Sequence, residues 1–319
     1  MGPRIYCLAV QKASIIYNPM ARNVPSQGRL AAAAASMADE GWEIDLRPTQ
    51  SAGHATTLAR EAAAHGVDVV VACGGDGTVN EVVNGLVGSQ SAVALIRGGT
   101  GDVFAKEIGM PKTPEQALRL LAEGERRRFD LGIAGERYFL LMAGVGLDAG
   151  VVRRVPGRPK RFLGTASYVL WGALELGRYR SRPVQLRLNG EQDWEGHLYW
   201  LLLGNTRSYG GVIDITSEAL ADDGLLDAYV FSGRGLPWLA RTGIRLAMRR
   251  HDGADGVSFQ RLRELDVLTP GLEVQADGEF FGETPMRFGV APRAVEVVIP
   301  LGAGAKLLAA DEGPLQDAH

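Results

Sequence analysis

The stretch VVACGGDGTVNEVVN (69–83) holds the clearest chemistry in the chain. An apolar run stops at Gly74 and Gly75, a lone carboxylate follows at Asp76, and Gly77 and Thr78 precede Val79, Val82, Val83 and Leu86, which recur at helical spacing. The pattern predicts strand, glycine turn, helix. Such a turn lets backbone N–H groups approach an anion closely, and the helix N-terminus adds partial positive charge, so a phosphate is the natural guest. Asp76 would repel a phosphate unless a cation lies between them, which points to a metal-nucleotide. A tight turn whose aspartate only caps the helix would look the same in isolation. No GxxxxGKS or GxxxxGKT occurs, and no GxGxxG follows a strand and opens a helix, so neither a P-loop nor a dinucleotide fingerprint accounts for these glycines.

Three other places carry residues of the right kind. RGGTGD (97–102) repeats the same logic, with Gly99 and Thr100 between a strand and a helix, so two such ends could line one cleft. Asn18 and Pro19 close an apolar strand, where an amide can hold a base or ribose or simply form an Asn-Pro turn. In QADGEFFG (275–282), Asp277 and Glu279 flank Gly278. Phosphorylating an alcohol requires a base for its proton while the transferring phosphate is held by metal and amides. Residues two apart on a strand share a face, so both carboxylates are expected to reach a cleft, although a solvated hairpin turn has the same sequence.

The elements that must position these groups alternate through the first 125 or so residues. SIIYNP (14–19), WEIDLRPT, VDVVVAC and SAVALIR read as strands, and GRLAAAAASMADEG (28–41), HATTLAREAAAHG and TPEQALRLLAEG as helices, the last with Thr113 as N-cap and Pro114 in its first turn. That βαβ rhythm predicts a doubly wound α/β domain over 1–127. From Arg126 the chain becomes strand-rich, with Asn189-Gly190 as a hairpin signal and helices near 165–179 and 237–250. A mainly antiparallel, β-sandwich-like domain is expected over 128–302, and a tail over 303–319 that can return to the first domain.

Composition excludes several classes. The 319 residues are 46% hydrophobic and 22% charged with a net charge of -3, which suits a globular chain and gives no general reason to bind nucleic acid. Cys7 and Cys73 lie in apolar stretches and read as free thiols of a reducing cytosol. No apolar run approaches the ~20 residues of a membrane span, and the N-terminus does not read as a signal peptide. His54, His65, His197, His251 and His319 show no metal-ligand spacing, and no GxSxG occurs. A cytoplasmic protein is expected, with membrane contact only peripheral. Two basic clusters could supply that contact with anionic phospholipid: RRVPGRPKR (153–161), and Arg241, Arg245 and Arg249 spaced by four beside Trp238, Leu239 and Leu246.

GGDGTVNE resembles the nucleotide loop shared by diacylglycerol kinases, sphingosine kinases, NAD kinases and, more distantly, phosphofructokinases. YNPMARN (17–23), IRGGTGDVFAKEIGMP (96–111), GNTRSYGGVIDITSEALADDGLLDAYVF (204–231) and QADGEFFG together resemble the soluble bacterial diacylglycerol kinase and sphingosine kinase branch, in family order across nearly the whole chain. The resemblance implies an ATP- and Mg²⁺-dependent lipid kinase. ATP would lie along Asn18, Pro19, Thr49, Gly74, Gly75, Asp76, Gly77, Thr78, Asn80, Glu81, Gly99 and Thr100. It places the proton acceptor in the late turn, at Asp277 or alternatively Glu279, with Asp76 organising Mg²⁺ at the phosphates. A structural Mg²⁺ would bind at ALADDGLLD through Asp223 and the carbonyls of Leu220 and Leu225, and an Asp-Asp-Gly turn is the plainer reading of those residues. Asp102 stands where family members often have Asn. Diacylglycerol is the implied acceptor, and a sphingoid base is compatible with every motif. An NAD kinase and a non-catalytic nucleotide- and membrane-binding regulator are the rival readings, and a homodimer is compatible with all of them.

Overall fold

The computed structural model describes residues 10–154, 179–211, 213–233, 235–304 and 306–309. Cys7, residues 155–161 of the first basic cluster, residues 165–178 of the helix expected near 165–179 and residues 310–319 of the tail lie outside the described residues. The chain divides into two compact units: Met1–Gly99 with Ile108–Arg127 and Val295–Ala303, and Thr100–Glu107 with Arg128–Ala294 and Gly304–His319. The units interleave, unlike the contiguous ranges expected from the sequence. Residues 100–107 group with the second unit, 295–303 return to the first, and 304–309 of the tail group with the second. One cause is a single 14-residue strand, Met286–Ile299, whose two ends belong to different units.

The first unit runs β1 (Gln11–Tyr17), α1 (Gln27–Ala35), β2 (Trp42–Pro48), α2 (His54–Ala64), β3 (Val69–Gly74), α3 (Asp76–Leu86) and β4 (Ala92–Arg97). Then α4 (Val103–Glu107), which belongs to the second unit, precedes α5 (Pro114–Glu123). The strands are parallel in the order β2-β1-β3-β4, with Val297 alongside Val93 of β4. β3 is buried at all six positions, as a strand covered on both faces by helices must be. Ser26 caps α1 through its hydroxyl. That helix ends at Ala35, short of the expected 41, and a 3₁₀ turn over Ala38–Glu40 closes at Gly41 with φ 83°. Thr113 caps α5 by accepting from the Gln116 N–H, with Pro114 in the first turn.

The second unit is a sandwich. Its strands are β5 (Glu125–Ala134, from Arg128 onward), β6 (Arg137–Phe139), β7 (Met142–Gly146), β8 (Arg182–Leu188), β9 (Gln192–Leu198), β10 (Trp200–Gly204), the short pair β11 (Ser208–Tyr209) and β12 (Ile213–Asp214), β13 (Leu226–Phe231), β14 (Val257–Leu262), β15 (Glu264–Val267), β16 (Glu273–Ala276), β17 (Glu279–Glu283) and the start of β18 (Met286–Ile299). Helix α6 (Leu147–Arg154) follows β7 and α7 (Gly235–Ala247) links β13 to β14. One sheet is ordered β18-β15-β8-β9, with β5 pairing β18 and β6; the other is ordered β14-β13-β10-β7-β16-β17. Asn189 (φ 49°) and Gly190 (φ 74°) make the expected turn between β8 and β9.

Alternate residues of both sheets form one core: Leu186 and Leu188 of β8, Leu201 and Leu203 of β10, Ala228 of β13, Val274 of β16, and Phe139 and Phe288. Gly132 makes room for this packing, because a Cβ there would lie 2.0 Å from the Phe139 ring. Phe139→Ala removes a fully buried ring from that core. It should cost about 3–5 kcal/mol in urea unfolding monitored by circular dichroism.

Candidate active site

In the first unit the strand order reverses between β1 and β3, because β2 lies on one side of β1 and β3 on the other. Open α/β sheets bind ligands at the carboxyl ends of their strands at such a point. That edge collects Asn18 after β1, Thr49 after β2, Gly74, Gly75 and Asp76 at the end of β3, and Gly98 and Gly99 after β4. Backbone bonds tie these ends into one rim: Thr49 N–H to the Tyr17 carbonyl at 2.9 Å, Asn18 N–H to Cys73 at 2.9 Å, and Gly98 N–H to Gly74 at 3.0 Å. Asn23, which the sequence did not single out, completes it, donating from its backbone to Gly98 O (2.9 Å) and from its side chain to Gly99 O (2.6 Å).

The glycines are forced by contact distance. A Cβ on Gly98 would lie 3.1 Å from the Gly74 Cα and 3.3 Å from the Val24 Cα, and one on Gly75 would lie 3.3 Å from the Gly99 Cα. On Gly74 it would meet the Thr78 hydroxyl oxygen at 2.5 Å. Two turns thus pack main chain against main chain. The N-cap of α3 is Gly75, so the reading of Asp76 as the cap is corrected: Asp76 is the first helical residue. The residues present fit a phosphate, because the rim is main chain at close approach beside a helix N-terminus that carries no capping side chain.

Other predicted residues have local partners. The Asn18 side-chain oxygen accepts from the Met20 N–H at 2.9 Å, an Asn turn, with Pro19 exposed beyond it. Glu81, expected along the nucleotide, reaches the start of α2, where its carboxylate accepts from the Ala55 N–H at 3.1 Å and its carbonyl from the Thr56 hydroxyl at 2.8 Å. The N-cap of α2 is Gly53, which has no side chain, so Glu81 supplies the missing acceptor. Asn80 is buried and accepts from the Asn84 side chain at 3.1 Å. Thr100 opens the segment that groups with the second unit.

In the second unit, Asp277 and Gly278 form the two-residue turn between β16 and β17, with φ of 49° and 77°. The expectation that Asp277 and Glu279 share one strand face is therefore corrected: Glu279 pairs across the strands with Ala276, and Asp277 sits in the turn. The Asp277 carboxylate accepts three backbone N–H bonds, from Leu140 (2.7 Å), Leu141 (2.8 Å) and Met142 (3.0 Å). These three bonds fix the carboxylate's orientation in the turn. Glu279 is exposed and accepts from Arg137 at 2.8 Å.

The ALADDGLLD loop is held by a residue the sequence did not flag. Asp130, fully buried, accepts from the Gly224 N–H and the Arg293 N–H, both at 2.6 Å. Asn205 in turn donates to the Asp130 carbonyl at 2.9 Å and the Leu140 carbonyl at 2.8 Å, tying the loop to the segment that grips Asp277. The visible signals were a lone carboxylate in the apolar RFDLGI and a lone amide at the end of WLLLGN. Asp223 accepts from the Leu225 N–H at 2.9 Å. Among the described residues no three His, Cys, Asp or Glu side chains gather as a metal cluster. A cation at this loop would rest on Asp223 and the Leu220 and Leu225 carbonyls, an all-oxygen set that suits Mg²⁺. Burial pushes the Asp223 and Asp130 carboxyls above the usual carboxylate range and Asp227 up to about 6, Arg261 at 3.1 Å pulling the last back.

Two more carboxyls of this unit are raised by burial. Burial raises Asp148 to about 6, against hydrogen bonds from Gln275 and the Ala149 N–H. It raises Glu107 of α4 to about 7, against the Ser208 N–H bond.

An α/β layer with glycine turns along its carboxyl edge, followed by an antiparallel sandwich, defines the class of two-domain proteins whose second domain is NAD kinase-like. Residues 12–134 match the diacylglycerol kinase catalytic domain, and residues 142–299 match the YegS C-terminal NAD kinase beta sandwich-like domain. The chain is 35% identical to the "Probable lipid kinase YegS-like" protein of Pseudomonas putida over 85% of this chain and 90% of that one. It is 29% identical to the diacylglycerol kinase of Bacillus subtilis over 91% and 97%. A crystal structure of a diacylglycerol kinase from Bacillus anthracis str. Sterne has the same fold, with a TM-score of 0.71 at 20% identity over 92% of this chain and 98% of that one. The chain belongs to the diacylglycerol kinase catalytic-domain family.

Two outcomes follow from these contacts. Glu81→Ala should lower stability by about 1 kcal/mol in denaturant unfolding through loss of the α2 acceptor. Glu107 has a raised pKa in the folded state, so its contribution is fully present below its unfolded value of 4.5 and is lost as pH rises toward about 7. Glu107→Gln keeps the acceptor for the Ser208 N–H. It should therefore raise the melting temperature above pH 7 and leave it nearly unchanged below pH 4.5.

Proposed function

We propose that the chain is an ATP-dependent lipid kinase that phosphorylates the hydroxyl of diacylglycerol to give phosphatidic acid. Membership of the family carries this reading, and the glycine rim supports it. ATP, when bound, supplies the phosphoryl group, and Mg²⁺ neutralises charge on its phosphates. The N–H groups at the start of α3 would orient the phosphates, with Gly74, Gly75 and Gly98 allowing the two turns to pack closely beside that helix end. Asp76, at the head of α3, would hold the cation there. Asp223 with the Leu220 and Leu225 carbonyls would hold a second, structural cation.

Asp277 would take the proton from the acceptor hydroxyl. Its three amide bonds fix the carboxylate in one orientation, as a base that must meet a hydroxyl requires. Glu279 is the alternate, held in position by Arg137. The enzyme would act in the cytoplasm, at a membrane surface. Among the described residues no helix is long and apolar enough to cross a membrane.

The test is transfer of label from γ-labelled ATP with Mg²⁺ to mixed micelles of diacylglycerol, sphingosine, ceramide or monoacylglycerol, with NAD as a separate acceptor. Label on diacylglycerol is the expected result; label on NAD alone would overturn it. Asp277→Asn should lower kcat by about 10²–10⁴ with ATP affinity unchanged. That substitution also sets an NH₂ against amide donors, so Glu279→Gln is measured beside it. A comparable loss in Glu279→Gln, with Asp277→Asn near normal, would move the base to Glu279.

A further inference from the structure

Helix α7 (Gly235–Ala247) is apolar on both sides. Leu239 and Thr242 face inward and are buried, which accounts for its attachment to the sandwich. The opposite side carries Pro237, Arg241, Ile244 and, one turn on, Met248, at the spacing of a single stripe. Ile244 is 61% exposed and Met248 54% exposed, and the Met248 N–H to Ile244 carbonyl bond (3.0 Å) continues the helical turn between them. An outward apolar stripe on a helix whose inner side is already satisfied needs a partner outside the unit.

The charges beside the stripe indicate which partner. Arg249, just beyond the helix, pairs with Asp214 at 2.9 Å, and Arg245 in the last turn is also favoured by the helix C-terminus. Arg241, one turn further up, and Arg245 make no ion pair with any described residue. They flank Ile244 with uncompensated positive charge. A protein partner of ordinary polarity would leave these cations needing acidic groups of matching spacing. An anionic lipid surface satisfies both features at once, because headgroups move to the cations while Ile244 and Met248 enter the acyl boundary.

We propose that the outer side of α7, with Ile244 and Met248 as apolar contacts and Arg241 and Arg245 as headgroup contacts, is the surface by which this chain docks on anionic phospholipid. It deepens the lipid kinase reading and rests on it for its purpose, although binding itself is measured without substrate.

The test is co-sedimentation of the full chain with vesicles of phosphatidylcholine alone and of phosphatidylcholine with phosphatidylglycerol. The wild type should bind the anionic vesicles, and added salt should weaken that binding. Arg241→Gln with Arg245→Gln should reduce partitioning about 30-fold, and Arg241→Lys with Arg245→Lys should restore most of it. Ile244→Ser with Met248→Ser should reduce partitioning at least about tenfold. Unchanged vesicle binding in both the glutamine and serine variants would overturn the proposal. So would a change of sedimentation coefficient in those variants with vesicle binding intact, since the side would then be an interface between copies. Phosphorylation of a dispersed short-chain diacylglycerol separates the two readings: its absence in the wild type counts against the kinase, while the vesicle result alone judges the docking surface. Variants that keep this activity but lose it on vesicles place the defect in docking.

Discussion

The contact between the Gly74 and Gly98 main chains sets the geometry of the first unit's carboxyl edge. Neighbouring parallel strands end there at the same height, and their turns are bonded to one another before either helix begins. A side chain on Gly98 would press on the Gly74 and Val24 main chain, and one on Gly74 would press on the Thr78 side chain. That would disturb the register of Asn23 on Gly98 and Gly99 as well as the start of α3. This packing buries Gly74 and Gly98 and leaves Gly75 and Gly99 partly exposed beside the start of α3, where main chain can face an anion.

The second unit has a comparable knot in Asp130 and Asp277. Asp130 gathers backbone N–H groups from two segments far apart in sequence, and Asp277 gathers three from the single distant segment 140–142. Asn205 links the two regions through the Asp130 and Leu140 carbonyls. Carboxylates in such positions hold loops in place whether or not they also act on a substrate. At Asp277 the three amide bonds show the architectural role, and the same fixed orientation is what the proposed role as a base would use. Glu279, exposed and ion-paired, has weaker positional control, since surface pairs hold their partners loosely.

Helix α7 shows a different relation between sequence and surface. Its basic spacing was visible as Arg241, Arg245 and Arg249 at intervals of four, but spacing does not distinguish a charge that a neighbour neutralises from one that faces solvent. Folding brings Asp214 to Arg249 and no described acid to the other two, and it turns Ile244 and Met248 outward rather than inward.

The sequence by itself determined the elements whose causes are local. Glycine pairs after apolar runs marked the turns, Thr113-Pro114 the start of α5, Asn189-Gly190 the hairpin, and the change from alternating strand and helix to strands alone the two kinds of unit. The ordered set of short motifs also placed the chain in its family. Only the tertiary structure decided the assignments that depend on long-range partners. It moved Glu81 to the start of α2, put Asp277 in a turn instead of on the face of Glu279, revealed Asp130 and Asn205 as loop anchors, and interleaved the units through β18. The physical reason is that turn and cap preferences are set by a residue's own backbone and nearest neighbours. The partner of a carboxylate or amide is set by whichever distant N–H or C=O group the packed chain leaves unsatisfied beside it.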